Sequence, residues 1–224
     1  MKKETKRPET ASLRFEKEYF AAGCRVIMGM DEAGRGPLAG PVAAGAVALP
    51  LHRGDLPKVL KGARDSKEMN ASQRLAAEAA IKEIALTWGI GHSSAQEIDA
   101  SGILSATKLA MRRALSDALE RRPVAPDCLF LDYLPWPEQQ DYPVRSITKG
   151  DKLSLSIACA SIIAKVWRDK YMTALEDPYP EYGFARNKGY GTRAHLNALD
   201  RHGPCEYHRA TFKPVRDLLS AGTA

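Results

Sequence analysis

The 224-residue chain has no run approaching the roughly 18 uninterrupted apolar residues that a membrane helix needs; its longest small-apolar stretches are residues 42–49 and 157–164. No membrane partner is expected. It has only four cysteines, Cys24, Cys128, Cys159 and Cys205, with no Cys-x-x-Cys pair and no histidine at zinc-finger spacing. That scarcity excludes a disulfide scaffold and a zinc finger, and reads as reduced thiols in a cytoplasmic protein. The start is basic and polar but runs into Arg14, Glu16, Lys17 and Glu18, not into the apolar core of a secretion signal, so export is not expected. Internal repeats and low-complexity tracts are absent, as is any Gly-x-x-x-x-Gly-Lys-Ser/Thr loop.

What is present is ordinary for a globular protein: 44% hydrophobic and 27% charged residues, enough for one sizeable domain with an appendage. The net charge of +6 is unevenly placed, because residues 145–216 hold thirteen Lys or Arg against seven Asp or Glu while the remainder balances. A surplus of this kind suits a surface that tracks phosphates, and equally a solvated basic face.

Periodicity divides the chain. Residues 1–10 read as a flexible tail, and residues 11–22 as an amphipathic helix ended by Gly23, with Leu13, Phe20 and Phe15 turned inward. Strands are expected at 25–30, 41–49, 87–94, 128–131 and 144–148. Helices are expected at 71–86, where Asn70 and Gln73 form a capping box, at 103–121, and as one continuous element over 152–171. From residue 176 the texture changes to Pro, Gly, Tyr and His, with helical patches at 192–201 and near Val215. The expected organisation is therefore a tail, a body over 11–175 and a helical element over 176–224. Strands alternating with helices give an α/β class.

The sharpest segment is Gly29-Met30-Asp31-Glu32-Ala33-Gly34-Arg35-Gly36-Pro37-Leu38-Ala39-Gly40-Pro41. Two adjacent acids follow an apolar run and precede a loop rich in glycine. Neighbours on a strand point to opposite faces, so Asp31 and Glu32 are expected to share a site only where the strand stops and the loop begins. Otherwise they merely open the loop. A dinucleotide-binding loop would need a helix directly after its glycines, and residues 41–49 favour a strand instead.

Two more acids sit at element ends: Asp132 after the apolar run 128–131, and Asp151 after Lys149-Gly150, where it could also be a helix N-cap. Four carboxylates without Cys or His partners form the ligand set of Mg²⁺ or Mn²⁺, and two such ions suit hydrolysis of a phosphodiester. Lys67, Lys149, Lys165 and Arg168 are the cations expected nearest the polyanion.

These residues resemble the type 2 ribonucleases H, the ribonuclease HII family. The similarity runs from Asp31-Glu32-Ala33-Gly34-Arg35-Gly36-Pro37-Leu38-Ala39-Gly40-Pro41-Val42 through Asp65-Ser66-Lys67, Lys149-Gly150-Asp151 and the helix 156–166 with Arg168-Asp169. It continues at Gly189-Tyr190-Gly191-Thr192 with His195, and at His208-Arg209 with Phe212. The resemblance implies a ribonuclease H-like mixed sheet flanked by helices with a small C-terminal helical element, acting as a monomer. It also implies metal-dependent cleavage of RNA in RNA/DNA hybrids and of DNA containing ribonucleotides, 5′ of the ribonucleotide, leaving a 3′-hydroxyl and a 5′-phosphate. Asp31, Glu32, Asp132 and Asp151 match the catalytic and metal-binding acids. Gly34, Arg35, Gly36 and Tyr190 match the parts that sense the 2′-hydroxyl, and Lys67 is placed with the substrate. His195 and His208 match family positions and read as structural. Asp132 is followed by Tyr133 and Leu134, where many members carry glycine, so a different backbone is expected there. The alternative reading is a non-catalytic nucleic-acid-binding module; a second is a nucleotide-cofactor enzyme that uses the glycine loop.

Overall fold

The computed structural model describes residues 10–134 and 142–221. The expected tail lies outside the described residues except for Thr10, whose hydroxyl accepts a hydrogen bond from Gly62 N–H at 2.9 Å.

Five strands form one sheet in the order β3-β2-β1-β4-β5: β1 (Ile27–Ala33), β2 (Val42–Ala48), β3 (Thr87–Ser93), β4 (Cys128–Asp132) and β5 (Val144–Ile147). β1, β2 and β3 are antiparallel neighbours, whereas β4 runs parallel to β1 and β5 parallel to β4. Helices α1 (Arg14–Ala21), α2 (Leu56–Val59), α3 (Ala71–Ile84), α4 (Ala95–Ser101) and α5 (Ile103–Arg121) precede β4 or lie between strands. After β5 come α6 (Gly150–Leu153), α7 (Leu155–Ala174), α8 (Phe184–Asn187), α9 (Arg193–His202) and α10 (Val215–Ala221).

One face of the sheet is covered by α7, with α3 packed outside it: Val47, Ile81, Leu155, Cys159 and Ile163 share a buried cluster. The other face is covered by α5, whose Ala106, Ala110, Met111 and Ala114 meet Met28, Met30, Val42 and Ala44. Apart from Met111, the buried residues of α5 are small, Ala106, Thr107, Ala110, Ala114 and Ala118, and they let the helix lie very close to β3. A Cβ added at Gly91 would stand 2.1 Å from the Ala110 carbonyl oxygen and 2.4 Å from Ala114 N. Residues beyond α7 gather around Met172, Tyr182, Phe184, Leu199 and Val215, together with Leu38 and Ala39 of the glycine loop.

Three expectations change. β1 does not stop before the acids but carries Asp31, Glu32 and Ala33 in its ladder with β2, because pairing with Gly45, Ala44 and Ala43 continues past the apolar run. The single helix expected over 152–171 is two, parted at Ser154, whose hydroxyl caps α7 by accepting from Ile157 N–H at 3.3 Å. Asp151 is therefore not the cap of the long helix. In α1 the only buried residue is Glu16, while Phe15 and Phe20 remain half-buried. Glu16 reaches the start of α7, accepting from Ser154 Oγ at 2.6 Å and Ser156 N–H at 2.9 Å, and burial raises its pKa above the usual carboxylate range. The capping box at Asn70 and Gln73 and the helix ending before Gly23 are present as expected. All four cysteines are free thiols. Among the described residues no helix is long and apolar enough to cross a membrane.

Gly91→Ala should destabilise the fold by roughly 2 kcal/mol or more, because a backbone carbonyl and amide of α5 must move aside. Urea denaturation checks this: the midpoint should fall at unchanged slope.

Candidate active site

The acids meet at the carboxyl ends of two parallel neighbours. Met30 pairs with Leu131, so one step further on Asp31 and Asp132 stand side by side on β1 and β4. Asp151 arrives from the first turn of α6, which the chain enters through Lys149 in the left-handed conformation, φ 57°. Gly150 N–H donates to Asp132 Oδ1 at 2.8 Å, linking β4 to α6.

Asp31 is buried and accepts from Glu32 N–H at 2.8 Å and from the Ser161 hydroxyl of α7. Ser66 lies 2.9 Å from Ser161 Oγ, so the Asp65-Ser66-Lys67 segment supports Asp31 from behind. Glu32 accepts from Arg35 Nη1 at 3.2 Å, and its other oxygen is buried without a hydrogen-bond partner. Lys152 Nζ pairs with Asp65 at 3.3 Å and Glu68 at 2.9 Å.

Electrostatics tie these groups into one cluster. Burial, then the negative charges of Glu32 and Asp132, push Asp31 well above the usual carboxylate range. Glu32 is raised by burial and by Asp132, against the pull of Arg35 and Lys67. Asp151 is pushed up to about 6 by burial, then by Asp132 and Asp65, with Lys67 and Lys152 opposing. Lys67 is drawn down by its surroundings, yet the charges of Asp31, Asp65, Asp151 and Glu32 outweigh that and raise it. One lysine thus faces four acids.

This donor set fits a hard divalent cation in its chemistry. All the ligands are oxygens, several are destabilised by one another, and one buried oxygen of Glu32 has no donor. Among the described residues no three of the side chains already surround a common point, for three of the acids are turned onto protein donors. Convergence of strand ends has made a cluster, not a ready-made cage.

The loop after β1 is held by two fully buried arginines. Arg168 of α7 donates to the carbonyls of Pro41 at 2.9 Å, Ala39 at 3.1 Å and Lys188 at 3.0 Å. Arg209 donates to Gly34 at 2.6 Å, Arg35 at 2.8 Å and Gly40 at 2.9 Å. Gly34 must be glycine: its φ is +92°, and a Cβ would lie 2.0 Å from Arg168 Nε. With the rest of the loop pinned, only Arg35 and Gly36 are exposed, and the space beside Gly36 is open.

Tyr190 is 43% exposed, its ring 5.9 Å from the Arg168 guanidinium, on a turn docked to the loop through Gly189. Gly40 is followed by β2, so the helix that a dinucleotide loop requires is not there.

Arg168 was expected among the cations facing a polyanion, but it is buried and spent on carbonyls, and Lys165 is paired with Asp169 at 2.5 Å. The roles of Arg168, Arg209 and Ser161 were not legible: an arginine in a basic third reads as solvated, and a serine in a small-residue helix reads as filler. Tyr133 takes φ +26°, where glycine is at ease and a tyrosine is strained, and its ring is 72% exposed.

Sequence comparisons show the family, and solved structures share the fold. A family model described as ribonuclease HII matches residues 28–215. The chain belongs to the ribonuclease HII family. A ribonuclease HII of Syntrophotalea carbinolica is 48% identical over 94% of this chain and 96% of that protein. The ribonuclease H2 of Pyrococcus horikoshii OT3 shares the fold at a TM-score of 0.72 and 22% identity, covering 88% of this chain and 98% of its own. Bst ribonuclease HIII in complex with Mn²⁺ does so at 0.68 and 21% identity, over 89% and 70%. As a member of this family the chain is a metal-dependent endoribonuclease acting on RNA in RNA/DNA hybrids, with a five-stranded mixed sheet flanked by helices.

Two outcomes follow from the site. Asp151 titrates at about 6 in the folded chain and near 4 unfolded, so its contribution is complete below about pH 4 and is lost as pH rises through about 6. Without divalent cations, urea melts between pH 4 and 7 should show a decline of on the order of 2 kcal/mol from this group, absent in Asp151→Asn. Added Mg²⁺ should restore stability above pH 6 in the unaltered enzyme and much less in the variant. Arg209→Met strips donors from three loop carbonyls, two of them buried, and should cost about 3 kcal/mol or more, read as a lowered melting temperature.

Proposed function

We propose that this enzyme incises duplex DNA on the 5′ side of an embedded ribonucleotide, and cuts the RNA strand of hybrids, leaving a 3′-hydroxyl and a 5′-phosphate. Asp31, Glu32, Asp132 and Asp151 are the catalytic acids and hold Mg²⁺ or Mn²⁺. The observation that carries this is the mutual repulsion of acids brought from β1, β4 and α6 to one place, with Lys67 the cation that faces four of the acids there. Carboxylates so crowded are stabilised by a bound multivalent cation more than by protons.

Two bound ions would supply an activated water and positive charge for the departing oxygen. The chain's own part is to position and to select. Asp31, locked between Glu32 N–H and the Ser161 hydroxyl, presents a fixed oxygen, and Asp132 is oriented by Gly150 N–H. Lys67 offsets negative charge beside the scissile phosphate.

Arg35 and Gly36, exposed on an otherwise buried loop, can approach a sugar closely, and the 2′-hydroxyl is the group that separates RNA from DNA. Gly34 supplies the turn that presents them, and the exposed ring of Tyr190 packs against the neighbouring sugar. Residues 11–175 would form the catalytic body, with residues 176–224 an element that backs the glycine loop. A cytoplasmic monomer fits this work.

The test is a labelled DNA duplex carrying one ribonucleotide, incubated with and without Mg²⁺, with the cut mapped. Cleavage should be 5′ of the ribonucleotide and metal-dependent. Asp31→Asn and Asp151→Asn should each lose about a thousandfold or more in kcat while still binding the duplex. Binding without metal-dependent cutting would instead mark a non-catalytic nucleic-acid-binding module.

A further inference from the structure

Behind the Tyr190 turn, two histidines are sealed from solvent. His195, in the first turn of α9, is 0% exposed and His208 is 4% exposed. His195 Nδ1 lies 2.9 Å from the Tyr190 carbonyl oxygen, and its Nε2 lies 2.9 Å from Nε2 of His208. His208 Nδ1 lies 3.0 Å from Cys205 N and 3.2 Å from Cys205 Sγ. The rings of Tyr182 and Phe184 pack against both histidines.

The two ends of this chain set its direction. A carbonyl oxygen only accepts and a peptide N–H only donates. His195 must therefore carry its proton on Nδ1, which donates to Tyr190 O, leaving Nε2 as an acceptor. His208 must carry its proton on Nε2, which donates to His195, leaving Nδ1 to accept from Cys205 N–H. A further proton would set two N–H groups head to head. Burial pushes both rings below the usual histidine range, His208 to about 4, so both are neutral at neutral pH.

Both ends belong to segments that grip the glycine loop. Leu38 N–H donates to Gly189 O at 2.8 Å, Gly40 N–H to Tyr207 O at 2.8 Å, and Arg209 N–H to Leu38 O at 2.8 Å. The histidine pair is the polar link that joins these two grips from behind. A pair that only filled space would not need opposed tautomers.

We infer that His195 and His208 are positioning residues which, in these fixed tautomers, hold the Tyr190 turn against the 34–41 loop and so govern recognition of the ribose more than the hydrolytic step. This rests on the reading of Tyr190 as a substrate contact.

Two measurements on the full chain decide it. Nitrogen-15 NMR at neutral pH should find His195 protonated at Nδ1 and His208 at Nε2; the opposite or mixed tautomers overturn the inference. In kinetics on the single-ribonucleotide duplex, His195→Asn keeps an N–H near the Nδ1 position, whereas His195→Gln moves it to the Nε2 position and leaves Tyr190 O without a donor. His195→Gln should raise KM about tenfold with kcat changed less than about threefold, and His195→Asn should restore a KM near that of the unaltered enzyme. Equal KM values for the two variants overturn the inference. Tyr190→Ala separates it from the reading beneath: a raised KM there with none in His195→Gln sinks the histidine role alone, and no change in Tyr190→Ala sinks both. If His195→Gln does not fold, the tautomers of the unaltered chain decide.

Discussion

Two guanidinium groups, both withdrawn from solvent and without a carboxylate at hydrogen-bond distance among the described residues, hold the glycine loop that follows β1. Arg168 and Arg209 send their N–H groups to backbone carbonyls of residues 34, 35, 39, 40 and 41, and Arg168 adds that of Lys188. A buried charge is costly unless its hydrogen bonds are satisfied, and here a ring of carbonyl dipoles does what a counter-ion would. Burial holds both below the ordinary arginine range, Arg168 at about 10 and Arg209 at about 9, which still leaves them charged at neutral pH. The loop is pinned because so many of its carbonyls accept from these arginines, and only the turn at Arg35 and Gly36 is exposed.

The acids obey a different constraint. Parallel pairing of β1 with β4 brings Asp31 beside Asp132, and the short α6 brings Asp151 to them. The charge of Asp132 raises the proton affinity of Asp31, Glu32 and Asp151, and that of Glu32 raises Asp31 further, so the folded chain stores electrostatic repulsion at the end of the sheet that a divalent cation would relieve. The same repulsion explains why the side chains turn onto Arg35, Gly150 N–H and Glu32 N–H instead of toward one another. Crowding like charges in one place lowers the stability of the fold there.

Much of the fold was legible along the chain. The capping box at Asn70, the helix α5 over 103–121 and the strand–loop–strand order around residues 27–48 follow from local pattern, because propensity, capping and periodicity agreed there. That the acids lie at element ends was legible too, since they close an apolar run or open a helix. The break at Ser154 was not: residues 152–171 read as one helix, and at the break Glu16, far away in sequence, accepts hydrogen bonds from Ser154 and Ser156. Nor could position alone reveal that Arg168 points inward while Arg35 points out.

Sequence alone named the candidate residues, because the chemical type of a carboxylate, a glycine or a tyrosine is set by its own side chain. Tertiary structure decided which charges are solvated and which are buried, how far β1 runs, and that His195 and His208 meet. Each of those depends on desolvation and on contacts across long stretches of chain, and neither exists until the chain has folded.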